Sequence, residues 1–206
     1  MLSAGFLLTS LVVVLMPGTG VLYTVATGLC HGKRASFFAA LGCTLGIIPA
    51  LLASSFGLAA IFHTSAVAFS VVKYAGCAYL LYLAWQMWRS SGPLAVSGEA
   101  QGEAGYVSFM IKGFLLNILN PKLSIFFLAF LPQFITGSDS TIAASMFLHG
   151  SVFMFMTFAV FLVYGGLSGL LSARVLKSEK VSVFIQKFFA TSFATLGLKL
   201  AFSEQR

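Results

Sequence analysis

Six stretches of this chain are apolar for long enough to cross a bilayer: residues 3–27, 37–61, 66–88, 109–134, 141–170 and 183–203. A helix rises about 1.5 Å per residue, so ~20 apolar residues match a hydrocarbon core about 30 Å thick. Within that core only helices and closed barrels satisfy their own backbone, and continuous apolar runs of this length specify helices. With 59% of residues hydrophobic and 8% charged, against about 25% charged in a soluble domain, no segment is left for a soluble catalytic domain. The expected fold is an all-α membrane protein, a single polytopic domain over residues 1–206. Met1–Phe6 carries no Lys or Arg, and no A-x-A-like site follows the first run. That run is therefore expected to stay as the first span rather than leave as a signal peptide.

Two of the runs contain a proline at matching places. SAGFLLTSLVVVLMPGTGVLYTVAT has Pro17 near its middle, and FMIKGFLLNILNPKLSIFFLAFLPQF has Pro121 at its centre. A proline has no N–H to donate, and its ring clashes with the carbonyl four residues back. Helices 1 and 4 are thus expected to break, freeing the carbonyls of Val13 and Asn117. Irregular backbone at membrane depth belongs against protein or a polar cavity. A matched pair of interrupted spans is the sequence-level pointer to a transporter's binding site.

The formal net charge of +7 is a topology signal rather than a sign of nucleic-acid binding. Lys33, Arg34, Arg89, Lys112, Arg174, Lys177, Lys180 and Lys187 all fall at the 1–2, 3–4 and 5–6 connections. Positive charge near span ends marks the cytoplasmic side, so both termini are expected outside. The longest connection, residues 89–108, has the core SGPLAVSGEAQGEAG, the composition of a flexible linker. It separates a first three-helix repeat (1–88) from a second (109–206). Three being odd, the second repeat enters the membrane from the opposite face, giving two inverted repeats. Gly42/Gly46 and Gly165/Gly169 are spaced for close helix packing, and Gly76 and Ala78 for the same in the third span.

Polar groups inside the spans are the candidate chemistry, since each is costly there. Lys122 lies mid-span beside Pro121, where snorkelling to either interface is difficult. It is read as a cationic anchor for an anion, helped by the amides of the following half-helix. The competing reading is a structural lysine on the loose carbonyls of its own broken helix. Asn117 and Asn120 flank the break and serve either role. Lys73 is within reach of an interface, and Asp139 in GSDST is expected to cap a helix. His149 is a candidate proton relay by its near-neutral titration, or else a core histidine bonded to a backbone carbonyl. No Asp or Glu lies within a span, so a substrate ammonium would use carbonyls and hydroxyls. The oxygens on offer are the carbonyls of Val13 and Asn117 and the hydroxyls of Thr19, Tyr23, Thr44 and Ser124. The substrate site is placed on Pro17, Gly18, Thr19, Gly20 and Tyr23 in one half and Asn117, Asn120, Pro121, Lys122 and Ser124 in the other. Pro17–Gly20 lacks the spacing of a phosphate loop. Cys30, Cys43 and Cys77 form no C-x-x-C pair and specify neither a disulfide framework nor a metal site. No cofactor, metal or enzymatic motif is expected.

The same residues resemble the LysE/RhtB family of bacterial amino-acid exporters. PGTGVLYTVATGLCHGKRASFFAALGCTLG is similar to that family's Pro-Gly break, G-x-[KR] loop and G-x-x-x-G helix. KYAGCAYLLYLAWQMWRS is similar to its third span, and GFLLNILNPKLSIFFLAFLPQF to its fourth. One departure stands out: Thr19 occupies the place of the family's second proline. The resemblance implies an inner-membrane protein that exports amino acids or close derivatives, driven by the proton gradient. Its expected partners are a small zwitterionic substrate, protons and the lipid bilayer, with a homodimer left open.

A secondary exporter with alternating access around the broken helices is therefore the leading expectation. Two alternatives share the topology. A thiol-redox conduit would need paired cysteines beside the breaks, and in sequence none neighbours Pro17 or Pro121. A metal or cation exporter would need embedded carboxylates or paired His and Cys ligands.

Overall fold

A computed structural model of the chain describes residues 2–55, 66–89, 105–135, 139–168 and 179–202. Among these the regular elements are all helical. They are α1 (Ala4–Leu15), α2 (Thr19–Leu45), α3 (Ala66–Arg89), α4 (Tyr106–Ile118), α5 (Pro121–Ile125), α6 (Asp139–Gly166) and α7 (Glu179–Ala201). Helix continues through residues 48–55 beyond α2. The linker core, Gly169, Arg174 and Lys177 lie outside the described residues, as do the side chains of Lys73 and Asp139.

The hydroxyl of Ser3 accepts from the Phe6 amide at 3.1 Å and starts α1. Phe6, Thr9, Ser10, Val13 and Val14 are its buried residues, the i, i+3, i+4 spacing of one helix face. α1 ends at Leu15, and Gly18, in extended conformation, precedes the first turn of α2.

α2 is not one rod. Gly32 holds φ 82° and ψ 175°, a backbone region open essentially to glycine alone. The chain doubles back there: Ser36 Oγ donates to the Thr24 carbonyl at 2.9 Å across 12 residues, which in a straight helix would stand about 18 Å apart. Cys43 Sγ likewise reaches the Gly20 carbonyl at 3.9 Å. Residues 19–31 and 33–45 are thus antiparallel arms, with the elbow at the glycine beside Lys33 and Arg34.

The second arm packs on α4 with backbone against backbone. A Cβ on Gly46 would meet the Phe114 carbonyl oxygen at 2.6 Å, one on Gly113 would meet the Ala39 carbonyl at 2.7 Å, and one on Gly42 would collide with the Met110 carbonyl. Gly165, on α6, is closed against the side chain of Ser36. α3 pairs with α7, where Cys77 Sγ donates to the Gly197 carbonyl at 3.0 Å.

The fourth apolar run is compound. α4 ends at Ile118, and α5 restarts with Asn120 as N-cap and Pro121 at its first turn, where a missing N–H leaves no bond unmade. Beyond α5 come a π turn, Phe126–Phe130, and a 3-10 turn, Leu131–Phe134. The two parts of the run are bent by 58°. Pro132 cannot take the carbonyl four residues before it, and the turns around it shed further bonds onto side chains. Ser54 Oγ donates to the Phe127 carbonyl at 2.6 Å, and Gln133 Nε2 to the Ala129 carbonyl at 2.8 Å. Phe126 stacks on Phe153 with ring centroids 4.5 Å apart, in a core shared by α1, α5, the π turn and α6.

By length and composition, Thr19–Ser55 and Ile142–Gly166 are candidate membrane spans, with Tyr106–Ile118 plus Lys122–Phe134 a third if the bent pair counts as one. The elbow at Gly32 means that Thr19–Ser55 does not run straight through.

Candidate functional site

The two proline segments meet. Lys122 Nζ donates to the Val13 carbonyl at 3.2 Å and to the Met16 carbonyl at 3.4 Å. Val13 O is the acceptor that Pro17 leaves without its helical partner. The lysine at the second break therefore serves the carbonyls of the first, not those of its own helix. Gly18 makes room for this, since a Cβ there would lie 3.1 Å from Lys122 Nζ. Another carbonyl at the end of α1, that of Leu15, accepts from the Tyr164 hydroxyl at 2.8 Å.

The second break is satisfied locally. The Asn117 carbonyl accepts from the Asn120 amide at 3.1 Å. Asn120 Oδ1 accepts from the Lys122 amide at 3.1 Å, and the Asn120 carbonyl takes the amides of Leu123 at 3.1 Å and Ser124 at 3.3 Å. The half-helix amides expected to hold an anion are already engaged, which leaves Lys122 Nζ as the cationic group at the crossing. Asn120 Nδ2 reaches Thr19 Oγ1 at 3.4 Å and Asn117 Oδ1 at 3.5 Å. The threonine that stands where the resemblance expects proline thus supplies a polar contact between the breaks. Asn117 Nδ2 donates to the Cys43 carbonyl at 2.6 Å, tying α4 to the second arm of α2.

Between the breaks lies a small cavity, with ≈ 20 Å³ open to the centre of a water-sized sphere. Gly18, Gly20, Asn117, Asn120 and Lys122 line it, with Val13, Val14, Val21, Leu123, Phe153, Thr157 and Phe161. That is room for about one water, far below the 300–1,000 Å³ or so of ordinary ligand pockets. The breaks are closed on each other in this conformation.

Other expected residues are placed elsewhere or used otherwise. The Tyr23 hydroxyl donates to the Phe109 carbonyl at 3.0 Å, and Tyr23 is not among the lining residues. Ser124 is half-buried and also off the lining. The Thr44 hydroxyl donates to the Ala40 carbonyl of its own helix at 2.9 Å. Pro17 is half-buried between α1 and α2, and Pro121 opens α5. His149 lies away from the cavity, edge-on to Phe6 with centroids 4.6 Å apart. Its Nδ1 is 2.7 Å from the Ser145 carbonyl, the arrangement of a core histidine, while Nε2 is buried with no partner among the described residues. Cys43 does neighbour the first break, through the Gly20 carbonyl, although it is 23 residues away in sequence.

The aromatic wall of Phe153 and Phe161 and the Tyr164 bond were not among the expected site residues. An apolar run such as SVFMFMTFAVFLVY carries no local mark of which phenylalanine faces a cavity. Tyr164 could have been flagged as a hydroxyl at depth needing a partner, but its partner is 149 residues distant.

Residues 11–204 match the family model described as LysE type translocator. The chain is 31% identical over 196 residues to a homoserine/homoserine lactone efflux protein of Salmonella typhi, covering 95% of this chain and 94% of that one. An uncharacterized membrane protein of Vibrio cholerae serotype O1 is likewise 31% identical over 196 residues, with 95% and 94% covered. A leucine efflux protein of Enterobacter sp. (strain 638) is 31% identical over 173 residues, 82% of this chain and 79% of that protein. No solved structure matches.

Proposed function

Because this chain belongs to the family of LysE type translocators, we propose that it is a secondary exporter of amino acids or close derivatives, working by alternating access around breaks at Pro17 and Pro121. The observation that carries this reading is the bond from Lys122 Nζ to the Val13 and Met16 carbonyls. A cation and its acceptors, one from each half, face each other across a closed cavity. A zwitterion is the chemistry that inserts between them. Its carboxylate takes Lys122, and its ammonium takes the carbonyls that Lys122 releases. Substrate binding then replaces one set of charge-assisted bonds by two, and the halves separate by the width of the substrate. Differential contact of this kind is what a ligand needs to shift an alternating-access equilibrium.

Lys122 lines the cavity, so a cationic side chain on the substrate would meet like charge there. Neutral amino acids fit better, in keeping with relatives named for homoserine/homoserine lactone and leucine efflux. The arrangement in the bacterial inner membrane is six spans in two inverted three-helix repeats, with both termini periplasmic and the basic connections cytoplasmic.

Lys122→Ala is expected to abolish efflux of neutral amino acids from loaded proteoliposomes while insertion and protein level stay normal. A well-inserted Lys122→Ala protein exporting at the wild-type rate would falsify the anion-site role.

Export is driven by the proton gradient in this reading, and one observation favours His149 as the relay: its buried Nε2 has no partner among the described residues. His149→Gln is then expected to lose gradient-driven efflux while keeping exchange of labelled for unlabelled substrate. Equal loss of both activities would return His149 to a packing role.

A further inference from the structure

A larger cavity lies away from the helix breaks. This groove of ≈ 490 Å³ is lined by Trp88 at the end of α3, by residues 184–196 of α7 and by Val12 near the end of α1. Lys187 is among its lining residues, with Nζ 3.8 Å from the Trp88 ring centroid, and on α3 the Arg89 guanidinium lies 5.0 Å from the Trp85 ring centroid. Trp85 and Trp88 are both about half exposed, at 55% and 53%, the placement of an aromatic belt at a membrane interface. Phe184, Phe188, Val12 and Leu196 supply its apolar lining. Lys187 to Leu196 spans about 14 Å along α7. The hydroxyls of Thr191, Ser192 and Thr195 face the same groove, each donating to the carbonyl four residues before it. Each hydroxyl oxygen still has a lone pair to offer.

We propose that this groove is a binding site for an anionic phospholipid. The headgroup phosphate lies against Lys187, and one acyl chain runs past Phe188 toward Leu196 and Val12. Charge selects the occupant: a zwitterionic lipid brings an ammonium up to the Lys187 cation, whereas a phosphatidylglycerol brings only its phosphate. The apolar depth excludes a free inorganic anion as the main ligand. This inference needs the chain to sit in a bilayer but not the export reading, because binding is measured with no transport.

The test is native mass spectrometry of the full chain, released from nanodiscs containing equal phosphatidylglycerol and phosphatidylcholine of matched acyl chains. The wild type is expected to retain one phosphatidylglycerol under conditions that strip phosphatidylcholine. Lys187→Gln should weaken that preference about fivefold, the effect of one basic side chain at an anionic surface, and Lys187→Arg should preserve it. Equal retention of the two lipids by the wild type overturns the proposal, as does an unchanged preference in Lys187→Gln. A cysteine introduced at Phe184 that crosslinks chain to chain in the membrane would show a second copy covering the groove, which also overturns it.

Discussion

At the scale of single residues, a few positions carry constraints that their neighbours do not. Gly32 is the clearest, because its φ of 82° and ψ of 175° leave a side chain strained even though nothing lies within 4 Å of its Cβ position. Gly32→Ala is expected to destabilise the protein by about 1–3 kcal/mol, read as a lowered melting temperature in detergent. Gly105→Ala is the control. That site is equally open but has φ −59°, so its melting temperature should move little, by less than about 0.5 kcal/mol in stability. Equal effects at the two glycines would contradict the backbone argument. Lys122 stood out in the sequence as a mid-span lysine, whereas the positive φ of Gly32 did not. Nor did the carbonyls that Lys122 serves, because Val13 and Met16 are 109 and 106 residues away.

At the scale of elements, apolar periodicity placed the helices, and glycine spacing indicated where they approach. Gly42 and Gly46 do meet a neighbouring backbone, that of α4; the sequence held the spacing but not the partner. Gly46→Ala would put a Cβ 2.6 Å from the Phe114 carbonyl oxygen and 2.9 Å from the Asn117 Cβ. Overpacking of this kind costs about 1–3 kcal/mol. Because Asn117 lines the cavity, efflux is expected to fall further than the loss of folded protein explains. Efflux scaling with folded protein alone would mean that the packing of α2 on α4 does not position the cavity. The π and 3-10 turns after α5 were not legible as such. Pro132 announces a disturbance, but the width of the turn depends on Ser54 and Gln133 taking up the released carbonyls.

For the molecule as a whole, the two breaks are each other's partners, and export in the proposed cycle requires them to part. Cysteines at Thr19 and Asn120, whose side chains approach to 3.4 Å, placed in a background lacking the three native cysteines, report on this directly. A short bifunctional thiol reagent is expected to join them and arrest efflux, and a cleavable version should restore activity on reduction. Full efflux in the joined protein would mean that the breaks stay together throughout the cycle.

Local rules were sufficient for the helical class and for the glycines that admit a neighbour. Hydropathy, the missing proline N–H and the missing glycine Cβ are properties of a residue and its immediate chain. Pairing is not such a property. Lys122 meeting Val13, Asn117 meeting Cys43, Tyr164 meeting Leu15 and Lys187 resting on Trp88 all join residues far apart in the chain. Inside a bilayer each such group must find some partner, so the need was written in the sequence. The choice among many equally apolar helix faces was made only when the helices packed.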